Sequence, residues 1–193
     1  MTRRAIPLLL LALLSLPACS AAPSNEVRCG EGSAGILAAQ AVPSATFVPC
    51  IAAFPVGWGY GGFFAETGRV RFWLNSDRAG IHAIQVELTE TCDTSGAVEV
   101  EDPASGLAGV RRLELPISLE PRLTGSTFFT FTGGCVTLRY DLAAGASSTL
   151  LLEARQAIDL FPRKEIVALL AEADPDLPLC GAEAPPCVGG TGP

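Results

Sequence analysis

Two hydrophobic periods divide the chain. In residues 69–74 the apolar Val70, Phe72 and Leu74 alternate with Arg69, Arg71 and Trp73, which predicts a half-buried strand with the polar set facing outward. A turn-rich stretch, 75–80, then leads into 81–89, where His82, Ile84, Val86 and Leu88 share one side and Gln85, Glu87 and Thr89 the other, completing a hairpin. Residues 112–119 repeat the alternation with Leu113, Leu115, Ile117 and Leu119 inward, and Pro116, which cannot donate to a ladder, places this strand at a sheet edge. The strongest local signal is 127–132, Gly133-Gly134, then 135–142. A two-residue loop there sets Phe131 opposite Val136 and Phe129 opposite Leu138.

After residue 146 the period becomes helical. Ser147 or Ser148 caps a helix over about 149–160 with Leu151, Ala154, Ile158 and Phe161 on one stripe. Pro162 suits the first turn of a second helix reaching about Ala173, whose Ile166, Val167, Leu169 and Leu170 would cover the sheet. Upstream, 33–40 fits one short helix ending before Pro43. Residues 42–56, with Pro43, Pro49 and Pro55, read as an extended, irregular segment pinned by Cys50. The predicted fold class is α+β: an antiparallel sheet of about five strands, with two C-terminal helices packed on one face.

The N-terminus changes the picture from a plain domain to an exported one. Arg3 and Arg4 precede an apolar run of eleven residues, 6–16, which is too short for a membrane-spanning helix of about 20 residues and has the form of a signal peptide. The run ends in Leu16-Pro17-Ala18-Cys19. This resembles the lipobox of bacterial lipoproteins, with an aliphatic residue at −3, a small one at −1 and cysteine at +1. The resemblance implies cleavage after Ala18, diacylation of Cys19, and a protein held at the extracytoplasmic face of the bacterial cell membrane. Two acyl chains give stable anchoring where one does not. The expected organisation is a leader over 1–18, a tether over 19–26, one domain over 27–173 and a Pro/Gly-rich tail over 174–193.

Cysteine usage agrees with export. With Cys19 set aside, Cys29, Cys50, Cys92, Cys135, Cys180 and Cys187 remain, an even number that suits disulfides outside the cytosol. Six cysteines allow fifteen pairings. Sequence order favours Cys29 with Cys50, Cys92 with Cys135, and Cys180 with Cys187, the last within the tail. Their wide spacing, and the single His, speak against zinc, so no metal site is expected.

Charge narrows the partners. The chain carries a net charge of −7 over 193 residues, and its cations are arginines apart from Lys164. An acidic chain of this kind gains little from counterion release on a phosphate backbone, so nucleic acid is a poor partner. Without polylysine, attachment to a membrane would run through the lipid anchor.

Candidate chemistry is sparse. His82 is the lone imidazole, no Gly-x-Ser-x-Gly elbow accompanies it, and on its strand parity it reads as a structural residue. The acids Glu87, Glu90 and Asp93, and Glu99, Glu101 and Asp102, could serve as paired carboxylates but read as scattered, solvated surface groups, and the latter cluster lacks the spacing of a calcium loop. Residues 57–62, Gly-Trp-Gly-Tyr-Gly-Gly, do not open a helix and lack a following Lys, so they read as backbone that turns tightly or approaches a neighbour closely with Trp58 and Tyr60 packed beside it, and no cofactor is expected. The candidate binding residues are Trp73 between Arg69 and Arg71, an indole flanked by guanidinium groups, with Trp58 and Tyr60 extending the surface. The competing arrangement covers that face and pairs Arg69 with Glu87 across the strands. Together these features predict a lipid-anchored envelope protein acting as a non-catalytic binding or accessory module on an envelope protein or glycan. An envelope hydrolase using carboxylates with His82, and a structural subunit of a membrane complex, are the alternatives.

Overall fold

The computed structural model describes residues 26–30, 32–101, 107–119, 121–173, 176 and 179–182. Twelve elements follow in order: α1 (Gly32–Ala41), β1 (Phe47–Ile51), β2 (Trp58–Glu66), β3 (Arg69–Ser76), β4 (Gly80–Thr89), β5 (Val98–Glu99), β6 (Arg111–Glu114), β7 (Leu123–Phe131), β8 (Gly134–Leu142), α2 (Ser148–Ala157), β9 (Ile158–Pro162) and α3 (Arg163–Ala173). The mixed, antiparallel character matches expectation, but the strand count and helix placement do not. Seven strands form one sheet in the order β2-β3-β4-β8-β7-β6-β5, β1 and β9 form a separate ribbon, and one of the three helices is N-terminal.

The centre of the sheet follows from its alternation. On β3, Val70, Phe72 and Leu74 are fully buried, opposite Leu88, Val86 and Ile84 of β4, and β4 in turn sets Val86 against Leu138 of β8. Each such side chain contributes about 1.5–3 kcal/mol by leaving water. The core lies between this face and a layer containing α1 and the β1–β9 ribbon, since α1 rests on β2 and β3, and β1 rests on β4.

Several expectations are corrected by long-range pairing. Residues 42–56 are not irregular throughout, because β1 forms within them and pairs with β9 from Phe47↔Pro162 to Ile51↔Ile158. That pairing also ends α2 early: Ser147 caps it by accepting from the Thr149 amide, but Ile158 turns extended at φ −104° and ψ 129°. The ribbon satisfies the backbone of 158–162 that helical periodicity would have continued, and Pro162 becomes the last residue of β9. Helix α3 packs chiefly on α1 and β9 instead of on the large sheet, burying Ile166 and Leu170.

The expected strand over 112–119 shortens to β6, and its parity reverses. Arg112 and Glu114 lie opposite Phe129 and Thr127, on the helix-covered side. Glu114 is held there by Arg155 of α2 at 2.7 Å and by Arg112. Arg155 also donates to Thr127 Oγ1 at 2.9 Å and to the Tyr140 hydroxyl at 3.2 Å. An ionic network therefore occupies the end of the face that periodicity assigned to leucines, and Ile117 and Leu119 are exposed.

The β7–β8 hairpin forms with its loop at Thr132-Gly133, so Phe131 faces Gly134 and Phe129 faces Val136. The register is two residues from the expected one, which preserves the face of every side chain. Gly133 takes φ +70°, and a Cβ there would stand 1.8 Å from the Ser44 carbonyl oxygen. That close approach of the 42–46 segment selects the loop position.

The expected pairs Cys29–Cys50 and Cys92–Cys135 are both disulfides. Cys180 is also disulfide-bonded, while Cys187, like Cys19, lies outside the described residues. The last described segment is tied down: Leu179 is buried, and the Ala182 amide donates to the Pro43 carbonyl at 2.7 Å.

Candidate functional site

The outer face of the large sheet carries the residues that the sequence singles out around Trp73. In one cross-strand row, Phe64 of β2 lies opposite Arg71 of β3, which lies opposite Glu87 of β4. The Arg71 guanidinium sits 5.4 Å from the Phe64 ring centre and 6.0 Å from that of Trp73. Its Nε is buried without a hydrogen-bond partner. Trp73 donates through Nε1 to Gln85 Oε1 at 3.2 Å, and Gln85 passes a hydrogen bond to Glu87 at 3.3 Å. Phe64 is 42% exposed.

His82 joins this face by a local break in the ladder. The register between β3 and β4 shifts after Leu74, His82 adopts φ 52°, and its amide donates to Asn75 Oδ1 at 2.7 Å. A non-glycine residue in that region is uncommon and marks an imposed geometry. The imidazole, expected inward from strand parity, is exposed and stacked on the Trp73 ring at 5.2 Å. Among the described residues no side chain hydrogen-bonds to the imidazole.

Other sequence candidates are separated from this group. Arg69 pairs with Glu66 at 2.7 Å rather than with Glu87, whose partner is Arg139. Trp58 and Tyr60 do not extend the outer surface, because the register shift between Tyr60 and Gly62 leaves them on the covered side. Trp58 is 7% exposed and donates to Glu153 of α2 at 3.2 Å. Burial, with Glu26 nearby, pushes the Tyr60 phenol up to about 12. The glycine-rich stretch is mostly strand, not turn, although its close-approach reading holds at Gly61, where a Cβ would lie 2.8 Å from Asn75 Oδ1.

The acidic clusters disperse. Glu99 pairs with Arg111, Glu90 accepts from the Ser44 hydroxyl at 3.3 Å, and Asp93 accepts the Ser95 amide at 2.9 Å. Hydrogen bonds hold the Asp93 and Glu99 carboxyls below their ordinary values. Asp102 lies outside the described residues. Among the described residues, no three His, Cys, Asp or Glu side chains gather as a metal site.

Sequence reasoning missed one concave feature. A cavity of about 310 Å³ opens between α1, α3 and the β1–β9 ribbon, with Ile36, Val48, Phe161, Ile166 and Leu170 among its walls and Arg28 beside them. The available signal was Gly35, a glycine inside a predicted helix with no turn to serve. Its space is open, since a Cβ there would meet nothing within 4 Å.

No family model matches the chain, and no curated protein matches it. A crystal structure from Bacteroides thetaiotaomicron VPI-5482 is similar at 12% identity and a TM-score of 0.32, covering 62% of this chain and 46% of that one. The chain thus spans less than half the length of that structure, and so slight a likeness carries no argument.

Proposed function

We propose that this chain is an exported lipoprotein, anchored through Cys19 at the extracytoplasmic face of the bacterial membrane, whose domain serves as a non-catalytic binding module for an envelope glycan. The observation that carries the binding reading is the Arg71 guanidinium, 5.4 Å from the centre of the exposed Phe64 ring and 6.0 Å from that of Trp73. A cation held against aromatic faces retains donors for hydroxyl or carboxylate oxygens, while the rings offer apolar area to a pyranose. His82 and Gln85 border the same surface and supply further polar atoms. The disulfides Cys29–Cys50 and Cys92–Cys135 support an oxidising compartment. A hydrolase would need His82 oriented by an acid, and among the described residues no carboxylate bonds its ring.

The test uses the full chain purified from its own membranes. Intact mass should begin at Cys19 with a diacylglyceryl group, and cleavage elsewhere would remove the anchor from the proposal. The protein should sediment with cell-wall glycan from the same cells. Trp73→Ala and Arg71→Ala should each lower the bound fraction about tenfold at unchanged unfolding midpoint. Equal retention of both variants would overturn the glycan reading.

A further inference from the structure

Cavities lined by hydrocarbon with one polar group at the rim are the usual form of small-molecule sites, and about 310 Å³ lies at the lower end of their range of roughly 300–1,000 Å³. The walls here come from five separate parts of the chain, the first being the 26–30 segment with Val27 and Arg28. Ile36 stands on α1, Val48 and Cys50 on β1, Phe161 on β9, and Leu169 and Leu170 on α3. Leu169, 41% exposed, forms an apolar lip. The Cys29–Cys50 disulfide fastens the 26–30 segment along β1, where the Ile51 amide donates to the Val27 carbonyl at 2.7 Å. The wall that carries Arg28 is therefore held covalently as well as by the ladder.

Arg28 is the cation beside this cavity. Its Nε donates to Glu26 at 2.9 Å, and its guanidinium lies 5.0 Å from the centre of the Phe54 ring. Its two terminal nitrogens donate to no described residue, and its side chain is 37% exposed. The group thus offers a fork of free donors at the edge of an apolar hole, which suits a carboxylate on a hydrocarbon tail. Gly35 completes the argument, because the helix would be served better by almost any other residue and the missing side chain leaves the cavity open.

We propose that this cavity binds a single acyl chain bearing a carboxylate, a free fatty acid of medium length, with the tail among α1, β1 and α3 and the head on the terminal nitrogens of Arg28. The site is separate from the outer-face surface and does not depend on what binds there.

The probe is dodecanoic acid with a photoreactive diazirine near its methyl end, added to the full chain held in phosphatidylcholine nanodiscs. Illumination followed by peptide mass mapping should place the label on α1 and α3 peptides, and excess unlabelled dodecanoic acid should abolish it. Gly35→Phe, which fills the cavity, should cut labelling at least tenfold, and Gly35→Met should act in the same direction. Both should unfold at or above the wild-type midpoint. Arg28→Gln should weaken the acid several-fold while leaving the corresponding alcohol unchanged. Trp73→Ala should leave labelling intact, which separates this site from the glycan surface. Label spread over exposed residues, or label that persists in both Gly35 variants, would overturn the proposal. So would a cavity that takes no label in the wild type.

Discussion

The fully buried guanidinium of Arg163 donates through Nη1 to the backbone carbonyl of Ala39, 124 residues away in sequence. Nη1 also reaches the Val42 carbonyl at 3.5 Å, and Nη2 donates to the Cys180 carbonyl. No carboxylate among the described residues pairs with it. The charge rests on carbonyls at the C-terminal end of α1, where the helix dipole favours a cation. One side chain at the start of α3 therefore joins α1 to the Cys180 segment.

Removing that junction should be costly. Hydrogen bonds to a charged group contribute about 1.5–3 kcal/mol each, so Arg163→Met should lower stability by roughly 3–5 kcal/mol in urea unfolding. Arg163→Lys should recover only part of the loss, because an ammonium cannot fork between carbonyls on two segments. A loss below about 1 kcal/mol would mean that water replaces the guanidinium.

Gly133 and Gly145 share a positive φ but differ in what surrounds them. A Cβ at Gly133 would collide with the Ser44 carbonyl, whereas at Gly145, φ +78°, nothing lies within 4 Å. Gly145→Ala should cost about 1 kcal/mol from backbone strain alone. Gly133→Ala should cost roughly 2–4 kcal/mol, since the 42–46 segment must also move. Equal costs, measured by thermal unfolding, would show that the hairpin loop does not depend on Ser44.

The Cys29–Cys50 and Cys92–Cys135 bridges enclose loops of different length, with sequence separations of 21 and 43. Loop-closure entropy assigns about 3 kcal/mol to the first and about 4 kcal/mol to the second. Replacing each pair by serines should reproduce that order in denaturant midpoints. The reverse order would indicate that the Cys29–Cys50 bridge acts on the native state, by holding the 26–30 segment against β1.

Alkaline pH should unfold the protein through its two tyrosines. Burial raises the Tyr140 phenol, outweighing the lowering by Arg155 and Thr127, and Tyr60 is pushed up to about 12. A phenol with a raised native pKa ionises first in the unfolded chain, near pH 10, so stability is complete below that and falls as pH rises above it. Tyrosinate absorbance should therefore appear together with loss of near-ultraviolet circular dichroism. Titration at the ordinary value with the fold intact would contradict the burial of Tyr140 and the partial burial of Tyr60.

The outer-face candidates were partly legible in the sequence. Trp73 and Arg71 share the polar parity of β3, and the structure keeps them together. His82 lies on the side opposite to its strand parity, because parity assumes an unbroken ladder and the shift after Leu74 breaks it. Of the two places the sequence offers Trp58 and Tyr60, packed beside the glycines or extending the outer surface, the structure takes the packed one, at the irregularity beside Gly61. Two register shifts thus decide which aromatic residues can share a ligand surface.

By itself, the sequence determined the central strands β3, β4 and β8, because period-two alternation has one stable outcome when a single face is covered. It also determined the capped start of α2, and it favoured, among fifteen pairings, the Cys29–Cys50 and Cys92–Cys135 bridges that the structure contains. Only the tertiary structure decided that 158–162 joins β1 rather than extending a helix, that Arg112 and Glu114 turn inward beneath Arg155, and that a cavity opens beside Gly35. Each of these depends on a partner far along the chain: a strand more than a hundred residues upstream, a guanidinium on a later helix, a wall shared by five segments. Local periodicity records which face a residue prefers, but what meets that face is set by the assembled layers.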